Sequence, residues 1–478
     1  MFTGKDLLLT TVLLHINAMI ALFFIAACVG FSIAGEGGYV YLINLSGSDW
    51  KQTHQESSHM NTWQFPALFK NGNAELFYVE FDDLITFSSS ARVDYELVGT
   101  GGKSFQILAI GGPPLRQDIP NRLEAFYDNI EIDGQPKGMR RNLGFRHDGD
   151  TNIIIIGKNG KYTGTSLDGS NWMKNNIDVL GNRTLRQISI PGSHDAGMSR
   201  LNGGTAFAYE CNVLTQSYPF EGQLNLGIRY FDIRPVIGNG GNYLTGHYTH
   251  ITGSWQGGNG KYIAELITDL NVFTKHHNEL IILKLSHSLN TDVGPNSYRK
   301  LNQEEWDKLF EKLDTINFLY NNDNKNVKLD QITFNDFTDH GSKASVVIIV
   351  DDPDSKVELG SRLGKGYFMT NSLDIYDDYA GVNNWRTMIK DQVKKMHEHS
   401  NNQYFLLSWT LTQNGRQAAF CTTFSIALMD LADQANIQLG KLLYEEVSSS
   451  SYPNIILVDN VKDTDVAAMA MAINTKIM

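Results

Sequence analysis

The part of the chain after Leu185 alternates strand-like with helix-like runs, and this alternation restricts its fold more than any other feature. LRQISI, GIRYFDI, LIILKL, SVVIIV, YFLLSW and NIILVD are short apolar runs bounded by Gly, Pro, Asn or Asp, as buried strands are. Between them lie amphipathic stretches. Ile263, Leu266, Ile267, Leu270 and Phe273 share one helical face, Trp306, Leu309, Phe310 and Leu313 share another, and FSIALMDLADQANIQLGKLLYEEV reads as one long helix. Strand then helix, repeated, implies parallel strands joined by right-handed crossovers. With NYLTG the strand-like runs number seven in about 300 residues. That count fits an α/β fold of the (β/α) TIM-barrel type, regular or distorted, better than an open sheet, and no Gly-rich phosphate loop marks a doubly wound alternative.

Such a barrel carries its chemistry at the carboxyl ends of its strands. Reactive side chains stand there in this chain. SIPGSHDAG sets His194 and Asp195 just past one strand, GIRYFDIRPV ends the next on Asp232 and Arg234, YLTGH ends on His247, and NIILVD ends on Asp459. Two imidazoles, several carboxylates and a guanidinium supply a base, an acid and a fixed positive charge, the set that phosphoryl transfer needs. Any one of them alone reads as loop polarity; the ordered set does not. His276, His277, His397 and His399 lack such a setting, and His250 is the alternative to His247.

SIPGSHDAG and LGIRYFDIRPV resemble the bacterial phosphatidylinositol-specific phospholipase C family and its fungal relatives, the X-box phosphodiesterase barrels. The resemblance spans roughly 185–459 and is sharpest over 188–247. It implies cleavage of phosphatidylinositol or a related (glyco)phospholipid at a membrane surface. His194 would deprotonate the inositol 2-hydroxyl, which attacks phosphorus, and His247 would protonate the departing diacylglycerol oxygen, leaving a cyclic head-group phosphate. Asp232 is the expected partner of His247, and Asp459 the expected partner of His194. In the animal members the strand that ends here on Arg234 ends on a carboxylate that helps hold calcium, whereas the bacterial type has arginine. The resemblance therefore implies catalysis with no metal and no cofactor, with Asp195 tethering Arg234 or meeting the attacking hydroxyl. Two departures bear on the head group. The family's lysine after the third strand is replaced by Ser286, with His287 next, and its capping tyrosine has no evident counterpart. Trp409 either stacks on a sugar-like ring or packs in the core. The alternative function is a catalytically inactive barrel serving as a secreted surface- or carbohydrate-binding protein. A metal-dependent glycerophosphodiesterase or sphingomyelinase D type of barrel would need a Glu-x-Asp pair where this chain has Asp232-Ile233-Arg234.

The formal charge of -12 excludes nucleic acid as a partner and strong attraction to anionic bilayers, both of which run on Lys and Arg. Residues 1–34 read as a secretory signal, or as an anchor, because a long apolar run follows Lys5 and ends on small residues before Gly35. Either way the folded part lies outside the cytosol. Removal of Cys28 with the signal leaves Cys211 and Cys421, which are either bonded or buried separately. The sequons at Asn44 and Asn182 fit a secreted surface. From 35 to 175 short aromatic and β-branched runs such as YVYLINL, ELFYVEF and NIIIIGK predict an all-β, sandwich-like domain ahead of a barrel over 176–478, with the linker at 169–180. Trp50, Trp63 and Tyr78 there are core residues or contacts for a carbohydrate ligand.

Overall fold

The computed structural model describes residues 35–82, 88–112, 119–165, 167–251, 253–294 and 297–478. The expected signal or anchor at 1–34, with Cys28, lies outside the described residues. Eight parallel strands form the central sheet: β1 (Ile190–Ser193), β2 (Tyr230–Ile233), β3 (Leu280–Ser286), β4 (Ser345–Asp351), β5 (Tyr367–Met369), β6 (Ile375–Tyr376), β7 (Tyr404–Trp409) and β8 (Ile455–Val458). Their spatial order, β5-β4-β3-β2-β1-β8-β7-β6, is the chain order wrapped round through the β1–β8 ladder. That is a (β/α) barrel with one seam: among the described residues no ladder joins β5 to β6. Only 370–374 connect these two strands, with a 3-10 turn at Thr370–Ser372. A crossover that docks one parallel strand on the next takes about a dozen residues or more, so this link is too short to close the ring.

Side chains alternate across the sheet. Tyr230 and Asp232 share the face of Ile282 and Lys284, and Gly192 opposes Tyr230. A Cβ on Gly192 would meet Ile455 Cγ2 at 2.8 Å and Leu457 Cδ1 at 3.1 Å, so the barrel interior leaves room only for glycine there.

Three expected elements differ. LRQISI is not a strand along its length: Leu185–Gln187 form a 3-10 turn, and the strand begins only at Ile190. NYLTG belongs to Asn242–Ile251, which pairs antiparallel with Pro235–Gly238 and Ser254–Tyr262. With Leu289–Asn290 these form a four-stranded sheet that continues from the carboxyl ends of β2 and β3. A hairpin arm and a barrel strand share period-2 alternation, so the pattern did not separate them. The long helix is two helices, Leu428–Asn436 and Leu439–Tyr444. Between them the Ile437 carbonyl accepts the Asp150 amide at 2.8 Å, a tertiary bond that interrupts the helical ladder.

The preceding β-region packs a five-stranded sheet, which includes Glu36–Leu45 and Asp150–Lys158, against a six-stranded one. Alternation along those two strands serves two cores at once. Val40, Leu42, Ile153 and Ile155 point into the sandwich, while Tyr41, Ile43, Ile154 and Ile156 belong to the barrel's core cluster. Burial on both faces accounts for their near-continuous apolar sequence. Trp50 and Trp63 are sandwich core and Tyr78 is exposed, so the surface role considered for those aromatics is left to Tyr78.

The stretch read as a linker is packed rather than loose. Trp172 and Met173 are buried, and the Trp172 indole donates to the Gly227 carbonyl at 2.9 Å. Arg229 and Glu279, both fully buried, explain why. Arg229 Nε donates to Glu279 at 2.9 Å and its Nη2 to the Gly169 and Ser170 carbonyls, while Glu279 accepts the Met173 and Lys174 amides. A buried charge persists only when paired and hydrogen-bonded, and this pair binds the entry segment to β2 and β3.

Candidate active site

Three strand ends share one local device. Asp195, His287 and Asn460 all have left-handed backbones, with φ of 42°, 52° and 53°. Each directly follows a polar side chain at a strand end: His194 after β1, Ser286 on β3 and Asp459 after β8. The turn peels the chain away from the sheet and leaves that side chain at the mouth. Non-glycine residues adopt this conformation at a cost of about 1–3 kcal/mol each, and such strain collects at functional sites.

His194 and Asp459 meet across the β1–β8 ladder, with the imidazole Nδ1–H donating to Asp459 Oδ1 at 2.8 Å. Arg234 Nη2 donates to His194 Nε2 at 2.6 Å, its Nε donates to Asp232 Oδ2 at 3.1 Å, and its Nη1 lies 3.6 Å from Asp195 Oδ2. Both ring nitrogens of His194 are thereby assigned as a neutral tautomer whose Nε2 lone pair accepts from the guanidinium. Asp232 accepts from three donors: the Asp195 amide at 3.2 Å, Arg234, and Ser286 Oγ at 2.9 Å. His247 stands apart. Its Nδ1–H donates to the Val213 carbonyl at 3.1 Å.

Electrostatics divide these groups. Burial pulls the His194 imidazole down, but the Asp459 carboxylate, helped by Asp232, outweighs burial and Arg234 and raises it above the ordinary value. His247 is pushed down to about 3 by desolvation, by the Arg234 guanidinium and by His194. Burial would raise Asp232, yet Arg234 and the histidines hold it well below the usual carboxylate range. Asp195 is buried, neither of its carboxylate oxygens has a hydrogen-bond partner, and desolvation raises it to about 7 despite Arg234.

The structure thus brings together His194, Asp195, Asp232, Arg234, Asp459 and Ser286, and it corrects three expectations. Asp232 is spent on Arg234, Ser286 and the Asp195 amide, so the hydrogen-bond partner of His247 is a backbone carbonyl. Trp409 is fully buried and its Nε1 donates to the Ala435 carbonyl at 2.9 Å, which makes it a core residue. Period-2 alternation explains this, because Ser408 shares the face of Leu457 and Trp409 takes the opposite one. Asn44 is buried with its amide donating to the Ser48 and Phe69 carbonyls, so only the sequon at Asn182 is exposed. His287, also expected near the head group, is exposed and its Nδ1 lies 2.9 Å from Ser286 Oγ.

Other contributors carried no sequence signal. The stretch 213–217 supports three of the site residues. Val213 holds His247, Thr215 Oγ1 donates to the Asp195 carbonyl at 2.9 Å, and Gln216 Nε2 donates to the His194 carbonyl at 2.9 Å. Lys284 on β3 reaches Asp351 at the end of β4 at 2.8 Å and Asp377 just after β6 at 2.5 Å, a charged cluster across the seam. Among the described residues no group of three or more His, Cys, Asp or Glu side chains is arranged to hold a metal ion.

No family model matches the sequence. The chain is similar to a solved phosphatidylinositol-specific phospholipase C from Staphylococcus aureus, at 16% identity and a TM-score of 0.45, over 64% of this chain and 99% of that one. It is similar at 17% identity and a TM-score of 0.44 to the enzyme of that name from Listeria monocytogenes, over 64% of this chain and 99% of that one.

Proposed function

We propose that this protein cleaves the phosphodiester of phosphatidylinositol or a related (glyco)phospholipid by general acid–base catalysis. The observation that carries the reading is the contact set His194–Asp459, His194–Arg234 and Arg234–Asp232 at the carboxyl ends of adjacent strands. An anionic diester entering the mouth draws Arg234 Nη2 from His194 Nε2 onto a phosphate oxygen, a charge-assisted bond suited to a guanidinium fork. The freed Nε2 lone pair takes the proton of a head-group hydroxyl, and Asp459 holds the imidazolium that forms. The hydroxyl oxygen bonds to phosphorus as the ester oxygen of diacylglycerol departs, taking its proton from His247. The diester's negative charge opposes the desolvation and the Arg234 field that depress His247, so on substrate binding His247 takes up a proton from water at Nε2 and passes that proton to the leaving oxygen, while its Nδ1–H stays on the Val213 carbonyl. The product is a cyclic head-group phosphate and diacylglycerol.

Arg234 neutralises Asp232 and faces Asp195, filling with a fixed cation the place where a metal would otherwise balance the developing charge. Chelation with EDTA is expected to leave turnover intact; loss restored by calcium refutes this. The Cys211–Cys421 bond supports a secreted protein in an oxidising compartment. The deciding experiment is the phosphorus-31 spectrum of products from phosphatidylinositol vesicles. A cyclic phosphate signal from the wild-type chain, lost in His194→Ala and His247→Ala, is expected. No product from a folded wild-type chain favours the inactive-barrel alternative.

A further inference from the structure

A cavity of about 330 Å³ lies where the β-region meets the barrel, beyond the carboxyl end of β8. Arg146 and Asn152 of the β-region, Gly440 of the helix Leu439–Tyr444, and Asn436 and Asn460 beside Asp459 line it. Its volume is at the lower end of the range that small-molecule sites occupy.

The charges round this cavity are already committed. Arg146 donates to Asp463 at 2.8 Å and lies 3.0 Å from Asp465, and Lys462 donates to Asp433 at 2.5 Å. Two buried amide oxygens in the lining, Asn152 Oδ1 and Asn436 Oδ1, have no hydrogen-bond partner, and Asn152 is only 6% exposed. A buried acceptor left unmade costs about 1–3 kcal/mol, which a donor entering the cavity recovers. Gly440 keeps the first oxygen uncovered, because a Cβ there would meet Asn152 Oδ1 at 2.2 Å. It does so inside a helix, where glycine costs about 0.5–1 kcal/mol against alanine.

Acceptors without partners select a ligand that donates hydrogen bonds. The acids are paired, so a cationic ligand finds no carboxylate of its own, and the paired bases leave none for an anion. Ile437, Leu439 and Val461 add an apolar wall. Hydroxyl donors round an edge and C–H groups on a face are the chemistry of a sugar ring.

We infer that this cavity binds a small saccharide whose hydroxyls donate to Asn152 Oδ1 and Asn436 Oδ1, and that its occupancy fixes the turn carrying Asp459. Asn436 Nδ2 donates to the Asp459 carbonyl at 2.8 Å, and Asn460 Nδ2 donates to Asp433 at 2.9 Å. These bonds hold the left-handed turn that sets Asp459 against His194, and a ligand on Asn436 Oδ1 locks the amide that makes the first of them. Asn436 is thus a positioning residue. Binding is independent of the phosphodiester reading, whereas the effect on Asp459 rests on it.

The test is titration calorimetry of the full chain with cellobiose, maltose and mannobiose. At least one is expected to bind, and to bind tenfold or more weakly to Gly440→Ala and Asn152→Ala, each checked for a wild-type circular dichroism spectrum. A second measurement needs no variant: the permethylated form of the bound sugar, which has no hydroxyl donor, is expected not to bind. Saturating sugar is expected to raise kcat several-fold on a short-chain, water-soluble phosphatidylinositol with KM unchanged, and to have no such effect in Gly440→Ala. Silence of all three sugars, equal binding of the permethylated form, or undiminished binding in both variants overturns the site. Binding that leaves kcat as it was overturns the link to Asp459. Binding by a chain that turns over no substrate upholds the site and sinks the catalytic reading alone.

Discussion

Asp195 is the residue whose placement is hardest to account for by stability. Its carboxylate is buried without a hydrogen bond, its backbone is left-handed, and its nearest cation, Arg234, already serves Asp232. The folded pKa of about 7 lies above the ordinary carboxylate value, so the native state holds the proton more tightly and stability falls as pH rises between the two. Asp195→Asn is expected to stabilise the fold by about 1–3 kcal/mol above pH 7. The gain disappears below about pH 4, and activity declines. Thermal melts across pH check it, and a lower melting point at pH 8 contradicts it.

The same sign argument applies to His194, which must be neutral to act as a base. Its raised pKa puts the acid limb of kcat/KM above the ordinary imidazole value. Asp459→Asn removes the main raising influence, so the limb is expected to move to lower pH while the rate drops roughly 100-fold or more. A limb that stays in place assigns the titration to another group. At this scale the sequence was informative where a reactive side chain follows a strand end, as at His194, Asp232, Arg234 and Asp459. It was silent on Val213, Thr215 and Gln216, whose contribution is a backbone carbonyl and two buried polar contacts in a stretch with no pattern.

Among elements, the seam between β5 and β6 sets the local stability. β3 is flanked on both sides and fully buried, whereas among the described residues the ladder of β5 is with β4 alone, beside a single bridge from Tyr367 to Leu363, and that of β6 is with β7 alone. Lys284 is a polar bridge across that region; burial pulls its pKa down, but Tyr230, Asp377 and Asp351 together outweigh burial and raise it. Amide exchange is expected to be fastest at Tyr367–Met369 and Ile375–Tyr376 and slowest in β3. Lys284→Met should accelerate exchange at the seam and lower stability by about 1–3 kcal/mol, read from the urea midpoint; equal protection across β3, β5 and β6 contradicts this. β3, β4, β7 and β8 were legible because each is a nearly continuous apolar run, whereas β1, Ile-Pro-Gly-Ser, follows the run that announced it. β5 and β6 were not legible, since three and two residues carry no periodicity, and the hairpin bearing His247 mimicked a barrel strand.

For the whole molecule, the shared sheet decides how the chain unfolds. Tyr41, Ile43, Ile154 and Ile156 lie in the barrel cluster together with residues of the terminal helix Asp465–Lys476, and Arg146 pairs with Asp463 and Asp465. A single calorimetric transition is expected for 35–478, and the fragment 176–478 is expected to aggregate; two separate transitions contradict it. Composition and strand spacing disclosed two architectures in order along the chain. Their fusion was hidden, because an apolar run buried on one face looks the same as one buried on both.

That double burial makes the β-region a wall of the barrel. Any lineage shedding those first strands would strip water-shy carbon off the back of the barrel, and would have to recolour the bared helices with charge before the remainder stayed in solution.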